Sequence, residues 1–413
     1  MYRGATHMKE EKLGAVNSYN LYKQRKMKKA QYAVLFSVVL FIVSILLGTG
    51  RLGVDLEWLL SLGRMAPLEE DVYLDGSNIS YNLYSAPEVA RGIYIPARKI
   101  ENYDKYIKLA KETEVNSFVI DVKDDTGYLT FETENEVLIS KGIVLAKPPI
   151  KDMKTLMNKL YEANIYPIAR VVAFKDGVVA KREPERAVKN LNGEIYATKT
   201  GETWLDPYNK ENWEYLLEIS KEAARMGFKE IQFDYIRFHE SMNENRVILN
   251  PEISKAEIIT EFTQYICENL QKEGIKVSAD VFGAVVLSDL DASIVGQDFK
   301  EMSRYLDYIC PMIYPSHYAE GTFGIEYPNL DAYNMILKTL EIGQDKINIE
   351  DGEKRAVIRP WLQDFTLKNL KPYLEYGPKE IRDQIQGAYD AGVEEWLFWN
   401  AGGNYTEEGL IAE

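Results

Sequence analysis

The sequence predicts an α/β protein, a (β/α)8 TIM barrel preceded by a single N-terminal transmembrane helix. Three observations carry that prediction. Eight short apolar runs alternate with helical patterns from residue 90 onwards. The charged residues of those runs fall late in each run and in a shared phase. Near the front, an uncharged stretch of 21 residues follows a basic cluster.

The elements follow in chain order. Residues 1–29 form a basic tail, and "KQRKMKK" ends it with five cations. Ala30–Gly50 is uncharged and matches the roughly 20 residues that cross a bilayer. The cationic flank places the tail in the cytoplasm and everything after Arg51 outside. The run ends "ILLGTGRLG" without a small-residue cleavage pattern, so the segment reads as an uncleaved anchor rather than a signal peptide. Residues 51–89 lack periodicity and read as a stalk. A barrel over 90–405 and a tail over 406–413 complete the chain.

Within the barrel the strand-like runs are "RGIYIPA" (91–97), "SFVIDVKDD" (117–125), "YPIARVVAF" (166–174), "EIQFDYIRF" (230–238), "KVSADVFG" (276–283), "DYICPMIYP" (307–315), "AVIRPWLQDF" (356–365) and "EEWLFWNA" (394–401). Helical periodicity marks 102–113, 151–164, 209–227 closing on Gly227, 254–274 closing on Gly274, and 378–392. Strands separated by helices indicate parallel βαβ units, and eight of them fit a closed barrel. An open doubly wound sheet is the alternative. Against it, the turn after the first run, "IPARKIENYD", carries no glycine-rich phosphate loop.

Composition narrows the function. The chain is 46% hydrophobic and 12% aromatic, with 28 Tyr and 6 Trp, side chains suited both to packing and to flat hydroxylated ligands. Net charge is −15; because residues 1–31 hold eight Lys/Arg against two Glu, the remainder carries −21. Such an acidic body argues against a nucleic-acid partner. Two cysteines, Cys267 and Cys310, lie in apolar or helical patterns and read as core thiols. With only three histidines, a His/Cys zinc site is not expected, and no cofactor is implied.

The chemistry lies in the phase of the polar residues. Asp121, Arg170, Asp234 and Asp280 are each fifth in their runs. In a barrel the carboxyl ends of the strands form one rim, so a common phase brings them together there. Tyr314, His317, Arg359, Gln363, Asp364 and Asn400 fall late in the later runs. Several carboxylates beside arginines suit hydrolysis of a glycosidic bond, in which one carboxyl protonates the leaving oxygen and another attacks or stabilises the oxocarbenium-like carbon. Unequal environments split their pKa values into those two roles. Tyr314, Trp361 and Trp399 have the geometry to stack on sugar faces, whereas Asp206 in "TWLDPYN" reads as a turn or helix cap. A barrel retained only as a sugar-binding or envelope-scaffolding platform is the rival reading.

The quoted runs, together with "WLDPYNKENWEYLLEISKEAARMGFKEIQFDYIRF" and "YICPMIYPSHY", resemble the bacterial DUF4015 glycoside hydrolase family, which belongs with the TIM-barrel glycosidases of the α-amylase-like group. The resemblance spans about residues 90–405. It implies a nucleophile at Asp234, near the end of the fourth strand. The aligned acid/base candidate on the fifth strand is Asp280, where the group normally has Glu. Gln232 stands where the group has an Arg two residues before the nucleophile. These departures leave Asp121, Asp125 or Asp364 as alternative acids. The expected catalytic pair is therefore Asp234 and Asp280. The expected substrate contacts are Asp121, Asp125, Arg170, Arg237, Tyr314, His317, Arg359, Trp361, Gln363, Trp399 and Asn400. The expected substrate is an extracellular or wall-associated polysaccharide. No metal is required, although "DVKDDTG" has oxygen-ligand chemistry that would suit calcium.

Overall fold

The computed structural model describes residues 86–348 and 355–412. The expected tail, bilayer span at 30–50 and nearly all of the stalk lie outside the described residues. Among those described, no helix is long and apolar enough to cross a membrane.

Nine parallel strand segments form one closed sheet: β1 (Arg91–Ile95), β2 (Ser117–Lys123), β3 (Tyr166–Val172), β4 (Glu230–Asp234), β5 (Lys276–Phe282), β6 (Tyr308–Met312), β7 (Val357–Ile358), β8 (Trp361–Gln363) and β9 (Trp396–Trp399). β7 and β8 are two halves of one stave, so the barrel has eight. The break falls at Arg359-Pro360, because proline has no N–H to give the ladder. The stave stays in place because Arg359 N–H donates to Ile309 O at 3.0 Å and Leu397 N–H to Pro360 O at 2.9 Å.

Register fixes the shape. Asp121 pairs with Arg170, Arg170 with Gln232, Gln232 with Ser278, Ser278 with Tyr308 and Tyr308 with Val357. Carried on through the Trp361–Leu397, Arg91–Trp396 and Gly92–Ser117 pairs, the path returns to the second stave at the level of residue 113, eight before Asp121. A stagger of eight over eight strands is that of a (β/α)8 barrel. A line of constant register therefore descends towards the amino ends of the strands as it circles.

Six helices of ten or more residues are present among the described residues: α1 (Tyr103–Glu112), α2 (Met153–Glu162), α3 (Lys210–Arg225), α4 (Lys255–Leu270), α5 (Ala332–Ile347) and α6 (Pro378–Asp390). Their starts are written locally. Asn209 caps α3 through Glu211 N–H, and Ser254 with Glu257 forms a capping box on α4. Gly227 and Gly274 turn the chain out of α3 and the α4 region with φ of 111° and 75°, conformations that glycine adopts without strain. Sequence patterning did not predict α5, although its buried Ala332, Met335, Ile336, Thr339, Leu340, Gly343 and Ile347 keep helical spacing.

Alternation along the strands separates two cores. Ile93, Ile95, Phe118, Ile120, Phe233 and Val277 face outward to the helices. Tyr94, Val119, Tyr166, Ile168, Cys310, Trp361 and Leu397 fill the barrel interior. Both cysteines are free and buried, as their patterns predicted.

Candidate active site

The run expected as a strand over 230–238 stops at Asp234. Tyr235 takes φ of 51°, a left-handed conformation that a bulky residue adopts only where its surroundings impose it. The bend brings the Tyr235 N–H to within 2.6 Å of Asp234 Oδ1. The other carboxylate oxygen, Oδ2, accepts from Arg170 Nε at 3.0 Å and Nη2 at 2.5 Å. Asp234 is 8% exposed and opens on a cavity of about 200 Å³ at the carboxyl ends of the strands. The cost of burying this charge is offset by the guanidinium beside it.

Arg170 organises the acidic side of the cavity. Its Nη1 donates to Asp121 Oδ1 at 2.7 Å, and its Nη2 lies 3.5 Å from Asp125 Oδ1. The second oxygen of Asp121 accepts from Tyr94 Oη at 2.6 Å. Burial pushes the Asp121 carboxyl up, against the pull of Arg170 and Tyr94. Asp121 is thus saturated and holds Arg170. For Asp125, burial also raises the carboxyl, but Arg170 and Lys175 outweigh it and leave the group below its ordinary value. The arginine that the α-amylase-like resemblance expected at Gln232 is supplied here from the neighbouring strand. Gln232 itself is buried and donates to Cys310 Sγ at 3.3 Å.

Asp280 sits in a different environment. It follows Ala279, whose register partner is Phe233, so Asp280 and Asp234 take the next matching positions on adjacent strands. It is 2% exposed and, among the described residues, its carboxyl accepts only the Trp361 indole N–H, at Oδ1 and 2.6 Å. Burial raises its carboxyl well above the carboxylate range, and the charge of Asp234 adds to the rise. Two acids on one cavity wall thus meet different surroundings: a carboxylate fixed by a guanidinium, and a carboxyl that burial pushes up.

Aromatic rings complete the walls. Trp399 stacks on Tyr94 at 4.1 Å and meets Trp361 edge-on at 5.7 Å. Trp361, Trp399 and Tyr314 all line the cavity. Arg237, which returns to the wall past the Tyr235 bend, also lines it, as do Phe282, Met312 and Tyr235.

Other expected contacts lie elsewhere. Arg359 is fully buried against Glu230 and Glu395, at 2.8 and 2.5 Å, and its guanidinium covers the Tyr308 ring at 3.6 Å. Its expected place at the mouth is therefore corrected. On the descending register it lies a layer deeper, where it neutralises the carboxylate that opens β4. Gln363 spends its amide on Ser316 and Phe365 and shapes the loop after β6. Asn400 closes a turn through Gly402 N–H and Asp364 O. His317 is exposed and packs on Tyr314 and Phe365 rather than lining the cavity. Asp364, an alternative acid in the sequence, accepts from both N–H and hydroxyl of Thr406. Asp206 receives Tyr208 N–H, the turn predicted for it.

The calcium-like segment is also spent internally. Asp124 Oδ1 receives the N–H groups of Thr126, Gly127 and Tyr128, and Lys123 runs inward to Asp176 at 3.0 Å. Among the described residues no group of three or more His, Cys, Asp or Glu has the arrangement of a metal site. The sequence reading missed Tyr94, which reads as one apolar residue among others, and Tyr235, whose backbone bend has no local glycine to signal it.

The family described as "Putative glycosyl hydrolase domain", DUF4015, matches residues 92–405. A hypothetical protein from Ruminiclostridium thermocellum is 39% identical over 46% of this chain and 97% of its own, with a TM-score of 0.42. The PgaB (BpsB) glycoside hydrolase domain from Bordetella bronchiseptica is 11% identical over 79% of this chain and 99% of its own, at 0.56. The α-galactosidase TtGalA from Thermus thermophilus is 11% identical over 79% of this chain and 60% of its own, at 0.47. At such identity the Bordetella likeness is one of fold. No curated protein matches the sequence. The match across the whole barrel places this chain in the DUF4015 family of glycosyl hydrolases.

Proposed function

We propose that the barrel cleaves glycosidic bonds of an extracellular or wall-associated polysaccharide by a two-carboxylate mechanism. Asp234 attacks or stabilises the anomeric carbon through Oδ1, the oxygen that does not carry Arg170. Asp280 donates its proton to the leaving oxygen as the bond breaks and then accepts one from the incoming water. Trp361, Trp399 and Tyr314 hold the sugar ring. Residues 30–50 anchor the protein in the membrane with the barrel outside, a placement supported by the uncharged run behind its basic cluster.

The observation that carries this reading is the split pair. One cavity joins a guanidinium-bound carboxylate, Asp234, to a buried carboxyl, Asp280, raised towards the proton-donating state. A sugar-binding platform has no need of that division.

The test uses the full chain on a panel of bacterial polysaccharides, with new reducing ends as the readout and Asp234→Asn in parallel. The reading expects product from the native protein on at least one polymer and little from the variant. Equal product from both would remove Asp234 from the chemistry.

A further inference from the structure

The mechanism leaves Arg237 without a task. This side chain is 7% exposed and lines the cavity. Its guanidinium lies 4.2 Å from the Phe282 ring centroid, 5.2 Å from Tyr235 and 5.3 Å from Trp204. Three rings therefore surround it, a favourable setting for a guanidinium. Nη1 donates to Phe238 O at 2.9 Å and reaches Glu240 at 3.4 Å. Glu240 is 57% exposed, so water screens that pair strongly. Among the described residues Nε and Nη2 meet no hydrogen-bond partner.

The other deeply buried arginines of the barrel interior are treated differently. Arg170 has Asp121 and Asp234 in direct contact, and Arg359 has Glu230 and Glu395. The nearest carboxylates to Arg237 are the exposed Glu240 and Asp234, which Arg170 already holds, and a buried cation so weakly paired is expensive. Its environment makes sense if the counter-charge arrives with the ligand. Burial pulls the Arg237 guanidinium below its ordinary value, against the opposing charges of Glu240, Tyr235 and Asp234.

We propose that Arg237 recognises an anion on the substrate, and that the sugar bound in the cavity bears a carboxylate, as in a uronic acid or an acid-bearing amino sugar. The planar Nε/Nη2 edge accepts a carboxylate in bidentate fashion. This deepens the glycosidase reading and rests on it for the identity of the ligand as a sugar. The chain's net charge of −15 repels polyanions at long range, so tight uronate binding here has to be local.

The test measures binding rather than turnover. Full-length Asp234→Asn is titrated with oligosaccharides from polygalacturonate, alginate and hyaluronan, and with the same oligosaccharides after reduction of their carboxyls. At least one acidic form should bind about tenfold or more tightly than its reduced form, the scale of a charge-assisted pair. Adding Arg237→Gln should bring that ratio near one, with Arg237→Lys in between. A ratio near one with Arg237 present overturns the proposal and needs no further substitution to be read. So does a ratio that survives Arg237→Gln. The two readings fail separately. Uronate selectivity in a protein that cleaves no polymer removes the glycosidase reading alone, whereas cleavage of neutral polymers with a ratio near one removes only the role of Arg237.

Discussion

The indole N–H of Trp361 meets Asp280 Oδ1 at 2.6 Å, from β8 to β5 across the barrel interior. Among the described residues it is the one hydrogen bond made to this carboxyl, which burial has raised well above its ordinary value. A donor to the carboxylate favours the charged form, so the bond lowers the pKa that burial has raised. Replacing Trp361 with Phe removes the donor and raises Asp280 further. If Asp280 is the acid, its deprotonation sets the alkaline limb of kcat/KM. That limb should move to higher pH in Trp361→Phe, and a profile that does not move would detach Asp280 from the rate.

Arg170 joins Asp121, Asp125 and Asp234 into one unit. Arg170→Met keeps the bulk and strands buried carboxylates. Breaking such a network costs about 3–5 kcal/mol, visible as a lower denaturant midpoint with an unchanged slope. Activity should fall as well, because Asp234 loses the contacts that orient it. A variant as stable as the native protein would show that the guanidinium is dispensable.

The deeper cluster predicts the opposite pairing of effects. Arg359 touches Glu230, Glu395 and Tyr308 but not the cavity. Arg359→Met should destabilise by a similar amount, about 3–5 kcal/mol, while the folded fraction keeps kcat/KM near the native value. Thermal melts paired with assays well below the transition separate the two effects. A selective loss of activity would return Arg359 to the site.

The limits of the sequence reading have a physical origin. Asp121, Arg170, Asp234 and Asp280 share a run position, and β2 to β5 are successive neighbours, so shared phase became shared height. The rule weakened at Arg359 because the stagger of eight lowers each later strand; the same register level that holds Asp280 and Cys310 has sunk by the seventh stave. Pro360 divided that stave, which a run of apolar letters does not reveal. Tyr94 was hidden for a related reason, since its hydroxyl finds Asp121 only after β1 and β2 pair. The bend at Tyr235 is imposed by tertiary contacts and leaves no local signal. Helix α5 keeps helical spacing in its buried residues, yet the sequence reading passed over it.

The assignment of two roles to two carboxyls is tested most directly by leaving-group dependence. The comparison sets the susceptible polymer against a 2,4-dinitrophenyl glycoside of the sugar it releases, whose departure needs no proton. Asp280→Asn should lose about 10²–10⁴-fold on the polymer, the scale of general-acid catalysis, and far less on the dinitrophenyl glycoside. Asp234→Asn should lose heavily on both. Asp280→Asn cutting the polymer at the native rate, or both variants losing equally on both substrates, would contradict the division of labour between Asp234 and Asp280.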